Sequence, residues 1–163
     1  MMAPAFHVAQ ETAVWPPPPP LRELLLDADL AHGELYVARS RGAAAGAIVI
    51  RQTGEDTWEI MNCSVAPEYR RHGCGTALVL HALHIIRNKG ARYAELGTCD
   101  ASPGPMALYE SCGFRISGVV KNHFTDNYPE PVWDNGVQCI DMIRMRADLF
   151  PQEGETPPTG QKL

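Results

Sequence analysis

The residues from Val65 to Thr76, Val-Ala-Pro-Glu-Tyr-Arg-Arg-His-Gly-Cys-Gly-Thr, carry the densest chemical signal in the chain. They stand between a predicted strand and a predicted long helix. Gly73 and Gly75 let the backbone bend tightly and approach a ligand with no side chain in the way. The helix that follows offers unpaired N–H groups and the positive end of its dipole. Arg70, Arg71 and His72 add positive charge to a chain whose formal net charge is −5. Together these features suit a phosphate or pyrophosphate. The loop is not a Walker loop, which ends in Gly-Lys-Ser/Thr. Nor is it the dinucleotide fingerprint, which needs three glycines and a parallel βαβ unit opening the domain.

A second chemical candidate lies just upstream. Glu59 interrupts the apolar run Trp58, Ile60, Met61. A carboxylate among such neighbours is unfavourable unless it is paired or tuned for proton transfer, so it is either a base or a strand carboxylate facing solvent or a cation. His81 and His84 stand three apart on the long helix, but no Cys or carboxylate accompanies them at ligand spacing, and no metal is expected. The segment Lys121 to Gln138 gathers Asp126, Glu130 and Asp134 with Tyr128 and Trp133. That set suits a cationic amine and suits a solvated loop equally well.

The elements that must position these residues follow from periodicity. Leu21 to Asp29 has helical spacing, after a Pro-rich segment (residues 1–20) that ends in Pro16 to Pro20 and reads as a stiff connector. Glu34–Arg39, Gly46–Arg51 and Thr57–Val65 read as an antiparallel meander, turning at Ser40–Gly42 and Gln52–Asp56. Gly75–Lys89 is a helix with a broad apolar face. Arg92–Thr98 is a strand and Pro105–Ser111 a short helix closing at Gly113. Phe114–Phe124 and Gln138–Met145 form a last strand pair, and a Pro-, Gly- and Thr-rich tail (151–163) is expected to be disordered. The fold class is α/β of the α+β kind: one domain over 21–150, with a mixed, mostly antiparallel twisted sheet and helices on both faces.

Composition bounds the partners. Apolar residues are 45% and charged residues 20%, ordinary for a globular protein. With this acidic balance a basic surface for nucleic acid or an anionic membrane is not the default expectation, and no run reaches the ~18 apolar residues of a membrane span. Five cysteines occur (Cys63, Cys74, Cys99, Cys112, Cys139), an odd number with no CxxC. No charged start followed by an apolar run opens the chain. Reduced thiols in a cytoplasmic protein are therefore expected, rather than a disulfide framework. Cys63 and Cys74 read as structural thiols.

Two stretches resemble a known family. Arg70-x-x-Gly73-x-Gly75, after a strand ending in Val65, resembles the acetyl-coenzyme A motif of the GNAT superfamily of N-acetyltransferases, commonly Gln/Arg-x-x-Gly-x-Gly/Ala. Ala107–Leu108–Tyr109–Glu110–Ser111–Cys112–Gly113–Phe114 resembles the family's second signature, a helix bearing Leu-Tyr followed by Gly-Phe entering the next strand. Both stand in the family's order with a strand between, and the resemblance spans residues 21 to 148. It implies a single GNAT-like domain that moves an acetyl group from acetyl-CoA, its co-substrate, to a primary amine of a small molecule or peptide. Attack is direct, within a ternary complex, and no metal takes part. The alternative is a non-catalytic acyl-CoA-binding sensor or structural module.

The resemblance also implies roles. The backbone of Asn62, Cys63, Ser64 and Val65 would pair with the pantetheine arm as an added strand does and offer an N–H to the thioester carbonyl. Arg70 and the amides of Arg71, His72, Gly73, Cys74, Gly75 and Thr76 would hold the pyrophosphate. Tyr109 would face the coenzyme sulfur and protonate the departing thiolate. Glu59 resembles the base of the histone-acetyltransferase branch at the same distance from the loop. Ser102 stands where many members carry a coenzyme-contacting Asn. A homodimer is the expected assembly, with the Lys121–Gln138 region lining the acceptor side or a dimer contact.

Overall fold

The computed structural model describes residues 5–12, 17, 21–25, 33–101, 103–134 and 136–151. The second half of the first predicted helix, Ser102 and the tail after Pro151 lie outside the described residues. Contacts gather into two compact units, Met1–Arg92 and Tyr93–Leu163.

The first unit is a four-stranded antiparallel meander: β1 (His7–Glu11), β2 (Glu34–Ser40), β3 (Ala43–Gln52) and β4 (Thr57–Val65), each paired with the next. A one-turn helix α1 (Leu21–Leu24), a 3-10 turn (Pro67–Tyr69) and the long helix α2 (Cys74–Asn88) complete it. Strand β3 is buried from Ala44 to Ile50, because both of its faces are covered. On one face Ala47 and Val49 join Leu21, Leu24, Leu25, Leu35 and Val37. Gly46, Ile48 and Ile50 alternate to the other face, where Leu78 of α2 meets Gly46. Of the predicted apolar face, Leu78, Val79, Ala82, Leu83 and Ile86 are fully buried and Ile85 is half-buried.

Two boundaries differ from the sequence reading. The stretch Ala43–Ala45, read as a shoulder of the turn, is already strand, because small residues fit between covered faces. Residues His7–Glu11, read within the connector, are a strand on the outer edge of β2. Glu11 grips Arg39 of β2 there through two hydrogen bonds, Arg39 Nε to Oε2 at 2.7 Å and Nη2 to Oε1 at 2.8 Å.

In the second unit β9 (Met142–Asp148) is central, antiparallel to β5 (Tyr93–Cys99) on one side and β6 (Arg115–Val120) on the other. Helix α3 (Pro103–Ser111) connects β5 to β6. Ala94, Leu96, Phe114, Met145 and Ala147 are among the buried residues of this unit. On the opposite face of the same strands Arg146 lies over the Tyr93 ring and pairs with Glu95 at 3.1 Å. The predicted strand Phe114–Phe124 stops at Val120, and Phe124 belongs to a short helix α4 (His123–Asn127). The predicted loop beyond it contains a hairpin of β7 (Val132–Asp134) and β8 (Val137–Cys139).

The single predicted strand Gln138–Met145 is thus two, broken at Ile140 and Asp141. Carboxylates explain the break. Asp100 Oδ1 accepts from the Ile140 N–H at 3.0 Å, and Asp141 Oδ1 accepts from the Asn122 N–H at 2.8 Å. Such side-chain acceptors draw backbone groups away from a ladder. Cys99 and Cys139, expected as free thiols, are joined in a disulfide with Cα atoms 5.5 Å apart. Sequence spacing could not show this, because the two meet only once β9 pairs with β5, Cys99 opposite Met142, and so sets the end of β8 beside it. No helix of the described residues is long and apolar enough to cross a membrane.

The Glu11–Arg39 pair generates a pH prediction. The hydrogen-bonded guanidinium holds the Glu11 carboxyl below its usual value, outweighing the effect of burial. A depressed carboxyl stabilises the fold above its unfolded value and loses that contribution as pH falls through the folded one. The pair is partly solvated, so about 0.2–1 kcal/mol is expected. Glu11→Gln should lower Tm at pH 7, and its gap from the parent should close below about pH 4. Thermal melts at a series of pH values check this.

Candidate active site

Strand β4 does not alternate regularly. Its register with β3 slips by one residue: Ile50 faces Ile60, but the preceding Val49 faces Asn62, so Met61 is an extra residue. This is a β-bulge, and it reverses the facing of all that follows. Directly opposed residues share a face. Ser64 therefore lies on the face of Ala47, Asn62 on the face of Val49, and Glu59, opposite Arg51, on that same face. Met61 packs against the α1-side core there. Cys63 and Val65 turn to the α2 side with Ile48 and Gly46. Strict alternation would have grouped Glu59 with Cys63 and Val65. The bulge groups it with Asn62 and Ser64, whose side chains are linked by a hydrogen bond from Ser64 Oγ to Asn62 Oδ1 at 2.8 Å. From Met61 to Val65 the strand is half-buried, unlike the sealed β3.

The strand runs directly into the phosphate-type loop. Arg70 folds back and donates from Nε to the Val65 carbonyl at 3.2 Å, stapling the loop to the strand end. Arg71 has φ 65° and Gly73 φ 84°, so two left-handed residues stand within three positions. For the non-glycine Arg71 this is unfavourable by about 1–2 kcal/mol, a strain typical of ligand-binding loops. Gly73 caps α2 with its backbone alone: among the described residues no side-chain cap bonds the first-turn N–H groups, and no acidic residue stands in that turn. The amides of Cys74, Gly75 and Thr76 thus open a helix dipole to an anion. Cys74 itself points inward and is 1% exposed, and burial pushes its thiol up to about 11.

In the second unit Tyr109 lies in the last turns of α3. The Phe114 N–H donates to the Tyr109 carbonyl at 3.0 Å and the Gly113 N–H to Glu110 at 3.1 Å. With Gly113 at φ 101°, this is a Schellman ending. The Tyr109 and Phe114 rings meet edge to face at 5.9 Å, the apolar contact that accompanies such an ending. The Tyr-to-Gly-Phe spacing of the second signature is therefore a helix stop that fixes the backbone of Tyr109.

Among the other sequence candidates, Ser102 lies outside the described residues. His81 packs against Tyr36 with the rings tilted at 59° and their centroids 5.2 Å apart, and burial together with the neighbouring His84 and His7 lowers its proton affinity. No group of His, Cys, Asp or Glu among the described residues could hold a metal. Tyr128 stacks on Phe124 at 5.8 Å, and Trp133 on the β7–β8 hairpin is 62% exposed.

Residues 4–114 match the acetyltransferase (GNAT) family, and the chain belongs to that family. It is 37% identical over 125 residues to the uncharacterised N-acetyltransferase YvbK of Bacillus subtilis, covering 77% of this chain and 81% of that one. The [ribosomal protein bS18]-alanine N-acetyltransferase of Escherichia coli is 25% identical over 120 residues, covering 74% and 78%. A GNAT family acetyltransferase from Elizabethkingia anophelis, solved with acetyl-CoA bound, superposes with a TM-score of 0.80 at 35% identity, over 88% of this chain and 98% of that one. The chain is thus an N-acetyltransferase, with acetyl-CoA as co-substrate.

Two outcomes follow from this geometry. Gly113→Ala must place a side chain in left-handed backbone and should destabilise the protein by about 1–2 kcal/mol, read in a denaturant melt. The Cys74 thiol should resist iodoacetamide at pH 8 in the folded protein and react once the chain is unfolded, as mass spectrometry of the labelled peptide would show.

Proposed function

We propose that this enzyme acetylates a primary amine, on a small molecule or a peptide, by direct attack within a ternary complex. The observation that carries the reading is the bulge at Met61, which turns Glu59 to the same face as Asn62 and Ser64 on the strand leading into the anion loop. Three needs of the reaction then have candidates. The amine must be neutral to attack, and Glu59 is the base that removes its proton. The thioester oxygen gains charge, and backbone N–H groups between Asn62 and Val65 stabilise it. The thiolate must leave, and Tyr109 returns a proton to it. Arg70 and the amides of Arg71 to Thr76 hold the pyrophosphate, while Cys63 and Cys74 serve as packing thiols.

A peptide acceptor draws support from the Escherichia coli relative, which acts on an alanine of ribosomal protein bS18. A cationic small amine draws support from exposed Tyr128 and Trp133 in a segment that also carries Asp126 and Glu130. A homodimer is supported by β6, which ends the strand order of its unit and exposes Ile116, Val119 and Val120. A cytoplasmic setting draws support from Cys63, Cys74 and Cys112, which form no disulfide, and is opposed by the Cys99–Cys139 disulfide, a bond rare in that compartment.

Thiol release from acetyl-CoA, followed over polyamines, aminoglycosides, amino acids and peptides with free α- or ε-amines, tests the reading. Turnover on one amine class is expected; tight coenzyme binding with no turnover on any would instead favour a binding module. With an acceptor in hand, Glu59→Gln should lower kcat by about 10²-fold or more, most strongly at lower pH where the amine is protonated. Its affinity for acetyl-CoA should change little. An unaltered pH–rate profile would remove Glu59 from the mechanism. Tyr109→Phe should lower kcat by a comparable factor of about 10², with a Km for the amine near that of the parent.

A further inference from the structure

We infer that Gly46 is a positioning residue for the coenzyme: the bare backbone it leaves on β3 is the seat on which the start of α2, and with it the anion loop, rests. The inference depends on the reading that this loop grips the pyrophosphate.

A Cβ built on Gly46 would lie 2.8 Å from the Ser64 carbonyl oxygen, 2.9 Å from Cys74 Sγ and 2.9 Å from Leu78 Cδ1. All three distances are shorter than packed carbon atoms accept. Backbone conformation does not demand glycine here, since Gly46 is not among the residues with positive φ. Space alone demands it. The three contacts differ in how they can yield. Leu78 Cδ1 is the end of a flexible side chain. The Ser64 carbonyl belongs to a strand held to β3 by the ladder in which Gly46 opposes Val65 and Ala47 opposes Ser64. Cys74 Sγ has χ1 as its only freedom, and a fully buried side chain at a helix start has few rotamers to turn to, so the clash falls mainly on the helix start.

A methyl group at Gly46 would therefore lever the first turn of α2 away from the sheet. That turn carries the unpaired amides of Cys74, Gly75 and Thr76, immediately after the left-handed Gly73. The short side chain at Cys74, fully buried, is the matching half of the seat. Close approach of helix to strand is what aims these amides. A displacement of a fraction of an ångström is enough to weaken several hydrogen bonds to one anion.

The test compares the dissociation constants of coenzyme A and of pantetheine, which lacks the pyrophosphate and the 3′-phosphoadenosine beyond it, by NMR titration on the full chain. The parent should prefer coenzyme A by about 10²-fold or more, as several charge-assisted hydrogen bonds require. Equal affinities would sink the pyrophosphate assignment before any variant is made. Gly46→Ala should then weaken coenzyme A about tenfold or more and pantetheine less than about twofold. In the double variant with Cys74→Ala, set against each single change in a mutant cycle, part of the loss should be recovered, because Sγ is gone. Equal penalties on both ligands, or no coupling with Cys74, would overturn the role of Gly46 while leaving the pyrophosphate assignment standing. Should Gly46→Ala not fold, Cys74→Leu wedges the same seat from the helix side. The same selective loss of coenzyme A is expected there, and unchanged affinity for it would overturn the inference.

Discussion

One extra residue in β4 organises the candidate chemistry of the first unit. Because Met61 is inserted opposite the Val49–Ile50 step, the strand changes which side chains it shows to which layer. Ile60 is still directed with Ile50 to the α2 side, and Met61 to the α1-side core. Both layers therefore keep their apolar contacts. The polar residues that follow, Asn62 and Ser64, come to share a face with Glu59. Had the strand alternated strictly, Cys63 and Val65 would have taken that place, and Asn62 and Ser64 would have been pressed toward the helix. The bulge lets a strand be both a packed member of the meander and a partly open one from Met61 onward.

The anion loop is held from both ends by unequal means. At its start, Arg70 spends its Nε on the Val65 carbonyl, so this cation is partly a structural staple. At its end, the helix is anchored by burial: Cys74, Leu78, Val79 and Ala82 are buried in succession along α2. The strained Arg71 and the left-handed Gly73 lie between these anchors, and neither conformation would persist without them. The local fold thus supports an arrangement that the loop alone would not adopt. The two φ-positive residues and the glycine on β3 belong to one device, in which backbone freedom is used where the chain turns and absence of a side chain where it packs.

In the second unit, backbone hydrogen bonds to carboxylates do the corresponding work. Asp100 accepts from the Ile140 N–H and also donates its own N–H to the Asp141 carbonyl at 3.1 Å, while Asp141 accepts from Asn122. With the Cys99–Cys139 disulfide, these bonds tie the end of β5 to the start of β9. The Schellman ending of α3 fixes Tyr109 by a different route, through its own carbonyl and its ring contact with Phe114.

The sequence by itself determined the family, the meander followed by a long helix, and the position of the anion loop. Those features rest on local signals: alternation, a 3.6-residue apolar stripe, and glycines at helix ends. It also held the second signature, whose Gly113–Phe114 spacing is a helix stop that can be read within six residues. Tertiary structure decided what local pattern cannot carry. Glu59 was legible as an odd carboxylate, but its face was not, because a bulge is defined by the partner strand. The β1 strand was hidden since its pairing with β2 crosses the Pro-rich segment. The break at Ile140 and the disulfide depend on residues forty positions apart, and nothing near either end announces them. Gly46 sits in an Ala- and Ile-rich strand with no turn to explain it. Its meaning appears only when Cys74 and Leu78 of a helix close over it, because a missing Cβ is informative only beside the atoms that would otherwise collide with it.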